Sequence, residues 1–272
     1  MNYRHAYHAG NHTEVFKHTA LALLLRRLLA KPKPFIVLDT HAGSGLYDLD
    51  APEAAKTGEA RDGIGRLDFR RLATTSYAAA VRPYLAKGSY PGSPIIIADM
   101  LRTTDRLAAC ELHPHDADRL KNLFASDRRV SVHHRDGYEA MLALIPPVER
   151  RGLVFIDPPF ERVDEAARLA GRLIAAARKW PTGLFAAWYP IKDTRIASDI
   201  GEALSRTGIP NILRADLLRA PIDGNTLVGS GMVFINAPWG YAEELETAAS
   251  ELLVAMDYAD GRFDLRWITA PA

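Results

Sequence analysis

Short apolar runs alternating with stretches of helical periodicity constrain this chain more than any other feature. The first run is PFIVLD, ending at residue 39. Six more follow: RLAACEL at 106–112, RVSVHH at 129–134, GLVFID at 152–157, GLFAAWYP at 183–190, ILRADLLR at 212–219 and SGMVFINA at 230–237. Helical stretches such as RVDEAARLAGRLIAAARKW at 162–180 lie between some of them. Strands that alternate with helices predict an α/β fold, with a mostly parallel seven-stranded sheet and helices on both faces. At 272 residues, 48% of them apolar, the chain can bury one large core, or one domain with an inserted piece.

Two segments stand apart from that alternation. Residues 13–30 place Val15, Leu21, Leu24, Leu25 and Leu28 at helical spacing behind Thr13, which predicts an amphipathic helix stopped by Lys31-Pro32-Lys33-Pro34. Residues 1–34 therefore form a basic N-terminal segment and helix ahead of a main domain at 35–272. Residues 48–92 are helix-compatible with little apolar alternation and predict a small helical insertion. Tyr90-Pro91-Gly92-Ser93-Pro94 ends it, with Ser93 as helix cap and Pro94 in the first turn, so IIIADML favours helix over strand.

The formal net charge is +1, so nothing in the whole-molecule charge points to nucleic acid. A lone cysteine, Cys110, excludes an internal disulfide framework and fits a reducing compartment. The N-terminus resembles no signal peptide. The longest greasy run, TALALLLRRLLA, is broken by Arg26-Arg27 and too short to span a bilayer. These features predict a soluble cytosolic protein with no membrane partner.

In parallel α/β folds ligands bind beyond the carboxyl ends of the strands, so the strand ends are where chemistry belongs. The first strand ends in LDTHAGSG, where Gly43 and Gly45 permit close approach of a ligand or simply make a tight turn. No Gly-Lys-Ser/Thr follows, which excludes a phosphate-gripping P-loop. The in-register G-x-G-x-x-G of a dinucleotide fold, with an acid about 20 residues on, is missing too. Glu111 ends the second strand and suits a bidentate acceptor for two ribose hydroxyls, or a helix cap. Asp136-Gly137 ends the third; the pair suits an adenine edge, or an ordinary turn.

The fourth strand ends in Asp157-Pro158-Pro159-Phe160. Each proline forces its predecessor toward extended geometry and removes a backbone donor. The Asp157 carboxylate and the Pro158 carbonyl can then converge on an –NH₂ group, and Phe160 can stack on a flat heterocycle.

Taken together, these four strand ends resemble a class I S-adenosylmethionine-dependent methyltransferase with a Rossmann-like fold. The string NYRHAYHAGNHTEVFKH, LDTHAGSG, YPGSP, CELHP, RDGYE and IDPPF closely resembles the RlmJ family, which methylates adenine N6 in 23S ribosomal RNA, and the match covers essentially the whole chain. The resemblance implies S-adenosylmethionine contacts at His18, His41, Ser93, Glu111, Asp136, Gly137 and Asp157. It also implies Asp157 as the catalytic group and Tyr3 as a substrate-side residue. Phe160 stands where many relatives carry tyrosine, and stacking needs only the ring.

Residues 1–34 carry six Lys/Arg against one acid and four of the nine histidines. Tyr3, Arg4, His5 and Lys17 are the substrate-side candidates there, with Arg4 and Lys17 expected on RNA phosphates. Arg61, Arg66, Arg70 and Arg71 form a second basic cluster; Arg119, Lys121, Arg128 and Arg129 form a third. No metal is expected, since His5, His8, His12 and His18 match no closed zinc set. The expected partner is 23S rRNA, naked or in early assembly, acted on by a monomer. Alternatives are a DNA adenine-N6 methyltransferase, or a nucleic-acid-binding protein that has kept the fold without activity.

Overall fold

A computed structural model describes residues 8–72 and 75–271, without the side chains of residues 53–55. Tyr3, Arg4 and His5 lie outside the described residues.

The strands are β1 (Ile36–Asp39), β2 (Leu46–Asp48), β3 (Ser89–Pro91), β4 (Arg106–Glu111), β5 (Val130–His134), β6 (Gly152–Ile156), β7 (Leu184–Ile191), β8 (Ile212–Leu218), β9 (Gly229–Ile235) and β10 (Arg262–Thr269). Eight of them form one sheet in the order β10-β8-β9-β7-β6-β1-β4-β5. The pairs β1–β4, β1–β6, β4–β5 and β6–β7 are parallel, while β7–β9, β8–β9 and β8–β10 are antiparallel. The sheet thus exceeds the expected seven strands by one. The extra strand, β10, pairs only with β8 at the edge. Its alternation of Arg262, Asp264 and Arg266 with Phe263 and Leu265 is the period-two signal of a half-exposed strand, unlike the solid apolar runs of the centre.

Helices cover both faces. On one side α1 (His12–Leu29), α5 (Ser93–Met100) and α10 (Tyr241–Ala255) share a buried cluster with one face of the strands. On the other, α7 (Gly137–Leu144), α8 (Glu165–Lys179) and α9 (Arg195–Ser205) bury Met141, Leu169, Leu173 and Ile200. Helix α6 (Pro114–Leu123) joins β4 to β5. The antiparallel pair β2–β3 brackets the short helices α2 (Pro52–Thr57), α3 (Glu59–Asp62) and α4 (Ser76–Leu85).

Two expectations about helix starts are corrected. The cap of α1 is Asn11, whose side-chain oxygen accepts from the amides of Thr13 and Glu14, both at 3.0 Å. Helix α1 is also buried nearly all round rather than amphipathic, because β9, α4, α5 and α10 pack about it. Ser93 is the first residue of α5, behind a Gly92 cap, and its hydroxyl donates to Asp39 at 2.6 Å instead of capping.

The antiparallel half of the sheet contains a packing device. Tyr189 on β7, Gly231 on β9 and Asp216 on β8 lie in register. A Cβ on Gly231 would stand 2.0 Å from the Tyr189 ring. The ring therefore lies across the glycine, and its hydroxyl donates to the buried Asp216 one strand further on. Gly231→Ala should destabilise the fold by about 1–3 kcal/mol through overpacking, read as a lower midpoint of urea unfolding.

Candidate active site

The loops that follow β1, β4, β5 and β6 surround one cavity of about 380 Å³, whose wall includes Thr40, His41, Gly43, Glu111, Asp136, Gly137 and Asp157. Parallel pairing explains the convergence, because it sets these four carboxyl ends side by side. After β1 the chain is tied down by the Thr40 amide on the Phe155 carbonyl (3.0 Å) and the Ala42 amide on the Cys110 carbonyl (2.9 Å). It then turns through Gly43 (φ +63°) and Gly45 (φ +85°), a left-handed path that other residues adopt only under strain.

Glu111 is buried, and each of its oxygens is aimed by a backbone amide: Gly43 at 2.8 Å and His113 at 2.6 Å. A carboxylate oriented in this way is the kind of group that accepts from a pair of hydroxyls. Asp136 caps α7 with one oxygen, accepting from Tyr138 (2.9 Å) and Glu139 (3.1 Å), and takes the Arg168 guanidinium on the other at 2.9 Å. Burial works to raise its pKa, but the Glu139 amide and Arg168 outweigh it and hold the carboxyl below its usual range. Asp136 is therefore a helix cap as well as a cavity wall. Gly137 has no room for a side chain, since a Cβ would meet the Thr40 carbonyl at 1.9 Å. Burial lowers the His41 pKa to about 4, helped by Arg168 and opposed by Asp136, so the ring is neutral at pH 7. It meets the edge of Tyr138 at 5.2 Å, and Arg168 covers that tyrosine at 4.5 Å.

A second cavity, of about 200 Å³, lies beyond Asp157. Its wall includes Glu14, Lys17, Pro158, Phe160, Trp188 and Pro190. Asp157 and Pro159 belong to both cavities, so the Asp-Pro-Pro segment is the partition between them. Phe160 closes the segment at φ +50°, a left-handed conformation costing an aromatic residue about 1–2 kcal/mol. That turn brings its ring edge-on to Trp188, with centroids 5.8 Å apart.

Lys17 joins the two walls of the second cavity. Its ammonium makes a close ion pair with Asp157, stands 3.3 Å from Glu14, and lies 5.4 Å from the Trp188 ring centroid. Burial opposes the charge on Lys17, yet the two carboxylates raise its pKa, so it stays a cation. This corrects the expectation that Lys17 binds RNA phosphates: its head is buried on two carboxylates, out of reach of a polyanion. Asp39, at the end of β1, is fully buried. Burial raises its pKa to about 7, the Asp157 charge adds to the rise, and the Ser93 hydroxyl opposes it.

Two residues implied as donor contacts, His18 and Ser93, are not part of the wall of the larger cavity. His18 is buried in α1, 2.9 Å from the Tyr90 hydroxyl and stacked on that ring. Ser93 holds Asp39. The later basic clusters are largely committed to internal contacts. Arg66 donates to the Met256 carbonyl, Arg70 and Arg71 face Asp68, and Arg129 is held by Asp127. Residues that sequence reasoning passed over are Glu14, Asp39, Tyr138, Glu165, Arg168 and Trp188. Of these, Asp39 and Tyr138 sit in strand-end motifs and Trp188 lies inside β7, whereas Glu14, Glu165 and Arg168 come from helices with no local signature. Near the mouth, His113, His115 and Asp116 bring potential ligand atoms within 4.8 Å of one another, but Asp116 already contacts both rings, at 3.6 and 3.3 Å.

Sequence comparison bears on this arrangement directly. A family model described as Ribosomal RNA large subunit methyltransferase D, RlmJ, matches residues 32–269. The chain belongs to the RlmJ family. It is 39% identical to the ribosomal RNA large subunit methyltransferase J of Haemophilus influenzae, across 99% of both chains. It is 38% identical to the protein of the same name from Escherichia coli, across 90% of both. Among solved structures, protein LPL1258 from Legionella pneumophila superposes with a TM-score of 0.86 at 31% identity, covering 95% of this chain and 98% of the other. A probable spermidine synthase from Corynebacterium glutamicum shares the fold at a TM-score of 0.54 and 11% identity, over 93% of this chain and 75% of the other. The architecture of this RlmJ-family chain is that of a class I methyltransferase, with the sheet extended by β10.

Asp39 gives this site a pH signature. Its folded pKa lies above the unfolded value, so its contribution to stability is full below about pH 4 and is lost as the pH rises through about 7. Asp39→Asn should remove that loss. The stability difference, variant minus wild type, should grow between pH 4 and pH 8 by at most about 1.4 kcal/mol per pH unit, measured by urea unfolding across that range.

Proposed function

We propose that the protein transfers a methyl group from S-adenosylmethionine to the N6 amino group of an adenine in 23S ribosomal RNA. The observation that carries this reading is the partition: two cavities, one lined by a diol acceptor and an Asp-Gly helix start, meet at a single carboxylate backed by a buried ammonium. The larger cavity suits the donor. Glu111 would take its ribose hydroxyls, Asp136 and the Gly137 amide its adenine edge, and His41, Gly43 and Asp157 its remaining wall. His18 and Ser93 support that wall from behind. The donor supplies an electrophilic methyl group on a sulfonium.

The smaller cavity receives the acceptor base. Phe160 and Trp188 offer aromatic surface to a flat heterocycle. Adenine N6 is a weak nucleophile because its lone pair is delocalised into the ring. Asp157 Oδ2 is engaged by Lys17, which leaves Oδ1 and the Pro158 carbonyl to accept from the two N–H bonds. Such acceptance favours a pyramidal nitrogen with its lone pair directed across the partition. Catalysis rests on orientation and fixed charge more than on strong base chemistry. Lys17 is already protonated, so the proton released from N6 passes to Asp157 or to solvent.

The N-terminal residues Tyr3, Arg4 and His5 complete the substrate side in this reading, with Arg4 on phosphate. RNA is favoured over DNA because the family relatives are named for ribosomal RNA and because single-stranded or looped RNA can be read by shape. The substrate is naked or early-assembly rRNA, the working form is a monomer, and the setting is the cytoplasm. Consistent with that setting, no helix among the described residues is long and apolar enough to cross a membrane.

Three variants test the assignment with labelled S-adenosylmethionine and rRNA from cells lacking the enzyme, the modified base being mapped by mass spectrometry. Asp157→Ala should lower kcat by about 10²–10³-fold or more while the circular-dichroism melt stays cooperative. Phe160→Ala should weaken base binding by about 1–3 kcal/mol, seen mainly in KM. Glu111→Gln should reduce donor affinity about tenfold in calorimetry, as a charged acceptor becomes a neutral one. Near-normal turnover of Asp157→Ala, or methylation at a position other than N6, overturns the reading.

A further inference from the structure

The segment that follows the partition carries an apolar side chain that packing does not explain. Val163 is fully exposed, at a relative exposure of 107%, in the short turn between Phe160 and α8. Its neighbours Glu161 and Arg162 line the donor-side cavity, and Phe160 lines the base-side cavity. Val163 therefore stands next to the stretch of chain that passes from one cavity to the other.

That turn is stiff. Arg162 donates from Nε and Nη2 to the two oxygens of Asp164, at 2.9 and 3.0 Å, clasping the residues on either side of Val163. The Glu165 amide donates to the Arg162 carbonyl at 3.2 Å, and the Arg168 amide to the Asp164 carbonyl at 2.9 Å. A β-branched side chain adds few rotamers of its own. The result is an apolar knob held in water next to residues that line both cavities, flanked by the exposed Arg162 guanidinium.

A base that enters the smaller cavity must leave its stack, and the vacated gap exposes the apolar faces of its neighbours. Proteins that open base steps fill such gaps with short apolar side chains. We propose that Val163 is the wedge that occupies the gap left by the target adenine, and that it acts as a positioning residue for base extrusion. The inference rests on the proposed function. It adds that the target adenine is stacked within structured RNA when first met. Arg162 lies beside the knob, where a phosphate flanking the gap would approach.

The experiment compares two RNAs carrying the same target adenine: a hairpin in which it is paired, and a short unstructured oligonucleotide. Val163→Ala should reduce kcat/KM on the hairpin about 5- to 20-fold and leave the oligonucleotide within twofold of wild type. Val163→Leu should restore most of the hairpin activity. With 2-aminopurine at the target position of the hairpin, the fluorescence rise on binding wild type should be lost with Val163→Ala. Donor affinity and melting temperature, measured on the same preparations, should not move. Equal loss on both RNAs, no loss on either, an unchanged fluorescence rise, or a wild type active only on the oligonucleotide overturns the wedge. A wild type that methylates neither RNA removes the proposed function itself, and the wedge with it.

Discussion

The contact between Lys17 and Asp157 is the constraint on which the site depends. The Lys17 ammonium is buried and the Asp157 carboxylate nearly so, and the pair persists because attraction and hydrogen bonding offset the hydration they lose. Glu14, one turn earlier on α1, faces the same ammonium and balances it from the other side. The consequence is geometric as well as energetic. The pair pins helix α1 to the end of β6, so the N-terminal helix is built into the partition between the two cavities. Removing Lys17 would leave the Glu14 and Asp157 carboxylates without their shared cation, whereas removing Asp157 leaves the ammonium its contact with Glu14. The same negative potential reaches Asp39, whose carboxyl already resists ionisation because it is buried.

Around that contact the chain uses stiffness in place of mass. Two prolines remove the donors from one short segment and extend it, and Phe160 then reverses direction in a conformation its side chain disfavours. The parallel half of the sheet supplies the four loops that build the larger cavity. The antiparallel half supplies Trp188 and Pro190 to the smaller one, with the Trp188 indole N–H donating to Ser230 at 2.9 Å.

Much of this was legible in the sequence, and what was not has physical reasons. Central strands such as β6 and β9 are buried at every position, so their apolar runs announce them. Edge strand β10 escaped because half its residues face water and three of its eight are charged. The largely buried α1 read as amphipathic, since its polar positions Glu14, Lys17 and His18 look like a solvent face until the fold shows them paired indoors. At the site, His41, Gly43, Glu111, Asp136, Gly137 and Asp157 could be named because strand ends in such a fold share one rim. Lys17 was named for the wrong reason: its charge is visible in the sequence, whereas a partner 140 positions away is not. Arg168 and Glu165 were invisible, because α8 brings them to the rim only after it packs on the sheet.

The shared wall has a pharmacological reading. Under the proposed function, two chambers that touch along Asp157 and Pro159 invite one molecule spanning both, with a nucleoside at one end, a planar amine at the other and a short rigid tether between. The second end would bind at the high effective concentration set by the tether, so two modest affinities would combine into a tight one. Enzymes that bind the same donor but lack the second chamber would engage only the first end, and selectivity would follow from geometry alone.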